Sequence, residues 1–361
     1  MDPNVANWQL LAAAQKGAAG AASSGTSSPA SEVSTSTPSC VLLEAGPIPL
    51  MKAIKNEAEL RGFAQCHVRD GAALCRTFSW VFEQLSMGEG KAPRITEYSV
   101  AQQALGQRSA DPSFLYPSFP TIAGSGPNGA VIHYDPEEET ALEVKLGRQL
   151  LVDSGGQYAD GTTDVTRTMV VPRDPEAGAG ADLSPFQKRA NTRVFQGFVA
   201  LADAVFPEGT RGEQLDALAR MPLWKDGLNY NHGTGHGVGA FLNVHEGPHG
   251  VAPRGRPGGY GGGIVAGMTV TDEPGYYQEG TTVPGDESED GSADSASGAG
   301  QAAMSGVGGP TEGGGATLCG EGFGYRVENV LAIEVADRSV APHRFGGTRR
   351  LRFRHMTWVP I

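Results

Sequence analysis

The chain has 361 residues, 39% of them hydrophobic, enough to bury the core of one large domain or two ordinary ones. Its 28 Lys and Arg face 40 Asp and Glu, and the formal net charge of -12 argues against a nucleic-acid partner and in favour of small molecules or peptides. No run of eighteen apolar residues and no basic leader before an apolar stretch occurs, and Cys40, Cys66, Cys75 and Cys319 form no CxxC pair, so membrane spanning, secretion, a zinc ribbon and a disulfide framework are set aside and a cytoplasmic location is expected.

The first forty residues are mostly Ala, Ser, Thr and Gly; only Val5 to Ala12 reads as an ordered element, and the rest reads as linker. A plastid transit peptide shares this character, but Arg is absent there while Asp2 and Glu32 are present, which ranks a plastid below the cytoplasm. The body begins near Pro49. Asn56-Glu-Ala-Glu59 has the pattern of a capping box, and Leu60, Phe63, Ala64, Val68, Leu74, Cys75, Phe78, Val81, Phe82 and Leu85 recur at helical spacing behind it. Strand-like runs follow at Gly129 to Tyr134, Gln149 to Asp153 and Thr163 to Val171, the last two joined through the turn signal Asp160-Gly161.

Ser184-Pro185-Phe186-Gln187 announces a second helix, with the serine as cap and proline at the first helical position, and an apolar stripe of Phe186, Ala190, Val194, Phe198, Leu201 and Val205. A third helix is expected from Gly212 to about Trp224, ended by Gly227. Residues 278–322 are rich in Gly, Ser and acidic side chains without Lys or Arg, and are read as a disordered insertion. Much of the net negative charge belongs to it, so the body is closer to neutral than the total suggests. Helices interleaved with a largely antiparallel sheet define an α+β class, with helices covering one sheet face.

The chemistry concentrates in a few segments. His232, His236 and His245 fall among four glycines that argue against a helix, and in an extended strand His232, Thr234 and His236 would share one face. Asp153 ends one apolar strand and Asp164 lies in the next, with Asp164, Thr166 and Thr168 on one face and Val165, Arg167 and Met169 on the other. Glu273, in Met268-Thr-Val-Thr-Asp-Glu273-Pro-Gly, and Glu328, in Tyr325-Arg-Val-Glu328-Asn, each interrupt a β-type apolar run, where an ionised carboxylate needs a cation or a partner. Four such carboxylates with His236 make a cage for two divalent ions.

The order Asp153, Asp164, His236, Glu273, Glu328 resembles the pita-bread metallopeptidases, and most closely the catalytic domain of the Xaa-Pro aminopeptidase (aminopeptidase P) group. The resemblance runs over about residues 45–361 apart from the insertion, and rests on Ser118-Phe-Pro-Thr-Ile, His133-Tyr, Asp153 through Thr168, the three-histidine segment, Thr271-Asp-Glu-Pro-Gly-Tyr-Tyr and Arg326-Val-Glu-Asn. It implies a pita-bread (creatinase/aminopeptidase-like) fold, a curved antiparallel sheet covered by helices, over residues 49–361, preceded by residues 1–48 as the partly disordered remnant of an earlier domain and linker. It also implies that Asp153 ligates one metal, that Asp164 and Glu328 bridge two, that His236 and Glu273 complete the second site, and that His133, His232 and His245 bind substrate and move protons.

An oxygen-rich donor set with one imidazole suits Mn²⁺ first, with Zn²⁺ or Co²⁺ as substitutes. The expected reaction is hydrolysis of the bond between an N-terminal residue and a penultimate proline by a water activated between two metals, with Glu273 as ligand and general base and Arg326 fixing a ligand carboxylate. Relatives of this type carry preceding domains that shape the substrate site and form dimers, and a C-terminal helical extension. With Met1 to Leu50 ahead of the body and the chain ending at Ile361, a homodimer is expected to be weakened and activity is less secured than metal binding. Three other readings stay open: an incomplete version of a longer enzyme, folded but poorly active; a metal-binding or interaction module without catalysis, against which the retention of all five ligands speaks; and prolidase or methionine aminopeptidase activity.

Overall fold

The computed structural model describes residues 46–87, 94–178, 180–254, 263–280, 321–336 and 349–361. A short helix, α1 (Ile48–Ala53), leads into the long α2 (Glu57–Ser86). Asn56 caps α2 through its side chain, accepting from Ala58 and Glu59, while Glu59 reaches back to the Asn56 amide at 2.8 Å. Phe63, Leu74 and Val81 of the expected stripe are buried, whereas Val68 and Phe82 stay exposed on the opposite side of the helix. A further helix, α3 (Glu97–Ser109), has no counterpart among the expected elements: its apolar periodicity is weak, with Val100 and Ala104 as its buried hydrophobics, and its start is marked only by the Thr96 cap.

β1 (Phe114–Pro117) and β2 (Ile122–Ser125) follow. The strand expected over Gly129 to Tyr134 does not form. A 3-10 turn occupies Gly126–Ala130, with Gly126 at φ 58° and Pro127 behind it, and Val131 is exposed; turn chemistry outweighs the short Ala-Val-Ile run. β3 (Gln149–Ser154) pairs antiparallel with β2 and with β6 (Val165–Val170), as the alternation required. Between them β4 (Gly156–Tyr158) and β5 (Gly161–Thr162) form a smaller nested hairpin, in which Tyr158 faces Gly161 across the Ala159-Asp160 turn, and β4 also pairs with β1.

α4 (Pro185–Ala202) begins at the Ser184/Gln187 capping box and buries Ala190, Val194, Phe198 and Leu201; Val205 instead opens β7 (Val205–Pro207) and is exposed. α5 (Gly212–Trp224) packs on α4 so closely that a Cβ at Gly197 would meet Ala219 O at 2.1 Å, and Gly227 follows it at φ 70°. The remaining strands are β8 (Gly235–His236), β9 (Gly250–Val251), β10 (Thr269–Asp272), β11 (Gly275–Gln278), β12 (Phe323–Arg326), β13 (Asn329–Val335) and β14 (Arg350–His355). A four-stranded sheet runs β10-β13-β14-β7, and every pairing in the described residues is antiparallel. The α+β class and the pita-bread arrangement hold.

The main core lies between α4, α5 and this sheet, around Leu201, Leu215, Met268, Val270, Leu331 and Leu351. β11 and β12 pair from Gly275↔Arg326 to Gln278↔Phe323, so the segment between them leaves and returns at one point. Most of the insertion, the Val5 to Ala12 stretch and the rest of the first 45 residues lie outside the described residues.

Candidate metal centre

Asp153 and Asp164 stand at the two ends of the nested hairpin. Asp153, near the end of β3, faces Thr166 in register, and Asp164 lies one residue before β6 rather than within it. Both are buried. Asp153 Oδ2 accepts from Arg326 Nη2, while its Oδ1 is buried with no hydrogen-bond partner among the described residues.

His236 comes from β8, which is only two residues long; the chain bends at residues 231–234, so the extended strand expected from His232 to His236 is confined to Gly235–His236. Thr234 accordingly leaves the histidine face and donates to Asp216 at 2.6 Å. Gly235 is required where β8 meets β10, since a Cβ there would lie 1.9 Å from Thr271 O. The His236 amide donates to Thr271 Oγ1 at 3.0 Å, and its Nδ1 lies 3.0 Å from Gly237 O. A carbonyl only accepts, so Nδ1 carries the proton and Nε2 turns a lone pair to the carboxylates. Nε2 lies 3.5 Å from Asp164 Oδ2 and 3.4 Å from Glu273 Oε1.

Glu273 follows β10, its amide bonded to Thr234 O and its Oε1 accepting from Thr271 at 3.0 Å; Glu328 sits between β12 and β13, its Oε2 accepting from Thr166 at 2.7 Å. One donor atom each from Asp164, His236 and Glu328 lie within 4.8 Å of one another. Four carboxyl groups crowd around one guanidinium, which would leave an excess of three negative charges were all of them ionised. In the metal-free protein burial, and then repulsion from Asp153 and Glu273, holds the Asp164 carboxyl well above the usual range. Burial with Asp164 and Glu273 does the same to Glu328, and burial pushes Glu273 up to about 7. Converging buried oxygens, one orphaned oxygen and one oriented imidazole fit divalent cations of the hard to borderline kind.

Around this cluster lies a cleft of about 640 Å³, lined by all five of these residues and by His133, His232, His245 and Arg326. His232 lies deep: its Nδ1 is 2.7 Å from Gly233 O and its Nε2 2.8 Å from Tyr277 Oη, and burial next to Arg326 lowers its pKa to about 3, so it is a neutral ring. Arg326 donates to Tyr277 Oη at 2.8 Å and through Nε to Thr166 Oγ1 at 3.1 Å. His245 packs its ring edge-on to His236, centroids 4.3 Å apart, and His133 is exposed and lines the cleft.

Tyr277, Thr271, Gln157 and the pairing of Thr166 with Glu328 carry no sequence signal of their own. Tyr277 stood inside the quoted Pro-Gly-Tyr-Tyr run, but nothing local marks which tyrosine turns inward. Gln157 Oε1 accepts from the Leu242 amide at 3.0 Å across 85 residues, a contact without a local signature. His249, four residues after His245, lies buried on Thr269 O at 2.8 Å and belongs to the packing.

Residues 62–334 match metallopeptidase family M24. A protein named aminopeptidase P1 from Lotus japonicus is 40% identical over 342 residues, covering 90% of this chain and 43% of its own length. A probable Xaa-Pro aminopeptidase P from Laccaria bicolor is 51% identical over 321 residues, covering 87% and 40%. The chain thus spans about two fifths of the curated relatives it matches. Among solved structures, the X-prolyl aminopeptidase of Caenorhabditis elegans, described as a cytosolic enzyme with a di-nuclear active site, superposes with a TM-score of 0.67 at 31% identity, covering 89% of this chain and 42% of that one.

Proposed function

The chain belongs to metallopeptidase family M24, and from that premise we propose that it is the catalytic unit of a metal-dependent aminopeptidase that cleaves the bond between an N-terminal residue and a penultimate proline. The observation that carries the proposal is the convergence of Asp164, His236 and Glu328 within 4.8 Å. Asp153 with its orphaned Oδ1 and Glu273 adjoin them. Asp153, Asp164, His236, Glu273 and Glu328 would together hold two divalent ions. Bound there, such ions would supply a lowered pKa for a water and polarisation of the scissile carbonyl. Mn²⁺ matches the donors best, with Zn²⁺ and Co²⁺ as substitutes.

The chain's own groups supply the rest. Glu273 takes a proton from the attacking water, its carboxylate oriented by Thr271. His245, beside His236, and His133, which also lines the cleft, stabilise the developing oxyanion or protonate the departing proline nitrogen, which leaves poorly as an anion. His232 stays neutral and acts through hydrogen bonds, held by Tyr277, which Arg326 holds in turn. Arg326 also fixes Asp153 and, through Thr166, Glu328. A cytosolic location follows the description of the Caenorhabditis elegans enzyme.

The test is hydrolysis of a short Xaa-Pro-Xaa peptide, an Xaa-Pro dipeptide and a Met-initiated peptide by chelator-treated protein with and without Mn²⁺. Metal-dependent release of the first residue from the tripeptide supports the proposal. Preference for the dipeptide would make the chain prolidase-like, and preference for the Met peptide would make it a methionine aminopeptidase.

A further inference from the structure

Glu97, the first residue of α3, has a fully buried side chain, yet among the described residues no Lys or Arg faces its carboxylate. Its hydrogen bonds come from neutral donors on one distant segment. Oε1 accepts from the Ser125 amide at 2.6 Å and Asn128 Nδ2 at 3.2 Å; Oε2 accepts from Asn128 Nδ2 at 3.0 Å, Tyr134 Oη at 2.8 Å and the Leu142 amide at 2.7 Å. A buried carboxylate without a cation persists only when several donors and a helix N-terminus stabilise it, as they do here. Residues 131–142 contain neither helix nor strand, so the carboxylate supplies the ties that a sheet ladder would otherwise give.

These ties bracket His133. Ser125 and Asn128 precede it, Tyr134 adjoins it and Leu142 follows it, while His133 itself projects exposed into the cleft beside Ile132 and Asp135. We propose that Glu97 is a positioning residue for His133: the buried carboxylate holds the segment that presents this imidazole to substrate. The inference rests on the role given to His133 above. An isosteric amide cannot replace the carboxylate, because its nitrogen only donates and would face either the Ser125 amide or the Leu142 amide, neither of which can accept.

The experiment compares wild type, Glu97→Gln, His133→Ala and the double variant in the Mn²⁺-loaded protein, with Tyr134→Phe as a milder loss of one tie should Glu97→Gln fail to fold. Unchanged Mn²⁺ stoichiometry is expected, since all five candidate ligands lie elsewhere. kcat/KM for Xaa-Pro-Xaa should fall about tenfold or more, and Glu97→Gln should cost little further in the His133→Ala background. A full additive loss in that background would make Glu97 merely structural and overturn the proposal. Hydrogen exchange gives an arm independent of turnover: amides 125–142 should exchange faster in Glu97→Gln while 149–170 do not. An unchanged profile overturns the proposal even in an active enzyme, whereas a wild-type chain that releases no amino acid overturns the proposed function and leaves the exchange profile to decide on Glu97.

Discussion

The buried guanidinium of Arg326 donates to Asp153 Oδ2 while its other terminal nitrogen donates to Tyr277, so one planar group fixes a candidate metal ligand and the support of His232 together. Lysine carries the charge but not the fork. Arg326→Lys is expected to keep the fold and to lower metal affinity or kcat by about ten- to a hundredfold. Metal titration followed by peptide kinetics checks it; unchanged values in both would show that Asp153 needs no such support.

Glu328 has a double character that predicts effects of opposite sign. Its carboxyl is held well above the usual range by burial and by Asp164 and Glu273, so in the metal-free protein it opposes folding at neutral pH. Glu328→Gln keeps the volume and removes the charge. The metal-free variant should melt higher than metal-free wild type at pH 8, while metal-dependent turnover falls by a factor on the order of 10³ or more. Turnover near that of wild type would remove Glu328 as a bridging ligand.

How much of this was legible in the sequence depended on range. Capping boxes at Asn56 and Ser184 announced two helices because the determinants lie within three residues. α3 escaped because its stabilisation comes from burial against other elements rather than from its own periodicity. The Val131-Ile132 run reads as a strand by its apolar character alone, and the Gly126-Pro-Asn-Gly129 turn just before it sets the local conformation instead. At the site, the candidate ligands stood out as carboxylates in apolar runs. The Arg326-Tyr277-His232 chain and the Gln157-Leu242 contact join segments dozens of residues apart, and no local pattern encodes them.

The loop carrying His245 stores backbone strain. Leu242 and Asn243 adopt φ of 64° and 54°, held by Gly239 N on Asn243 O at 2.9 Å and by Gln157 on the Leu242 amide. Asparagine tolerates this region and a leucine does not. Leu242→Gly should therefore leave stability unchanged or slightly raised. Leu242→Val, branched at Cβ, keeps or adds to the strain and should be less stable than Leu242→Gly by about 1–2 kcal/mol. Urea denaturation of the two variants reads the difference directly, and equal losses in both would mean that the loop carries no strain at this residue.

Metal stabilisation should itself depend on pH, with a sign fixed by the carboxylate cluster. Asp164 and Glu328 are held well above their ordinary values, and Glu273 is pushed from 4.5 to about 7, chiefly by burial. The folded metal-free protein thus binds more protons than the unfolded chain above pH 4.5, and it loses stability as pH rises through the raised values. For Glu273 alone that loss is on the order of 3 kcal/mol once it is fully ionised. Cations bind the ionised carboxylates and must displace these protons, so their binding tightens as pH rises. His232, lowered to about 3, has the opposite slope below 6.5, but it stays neutral with or without metal and cancels from the difference. The rise in melting temperature on adding Mn²⁺ should be small near pH 5 and grow steadily to pH 8. A rise of equal size at both ends would mean that the carboxylates are already ionised without metal, and that the crowding at Asp164, Glu273 and Glu328 is relieved in some other way.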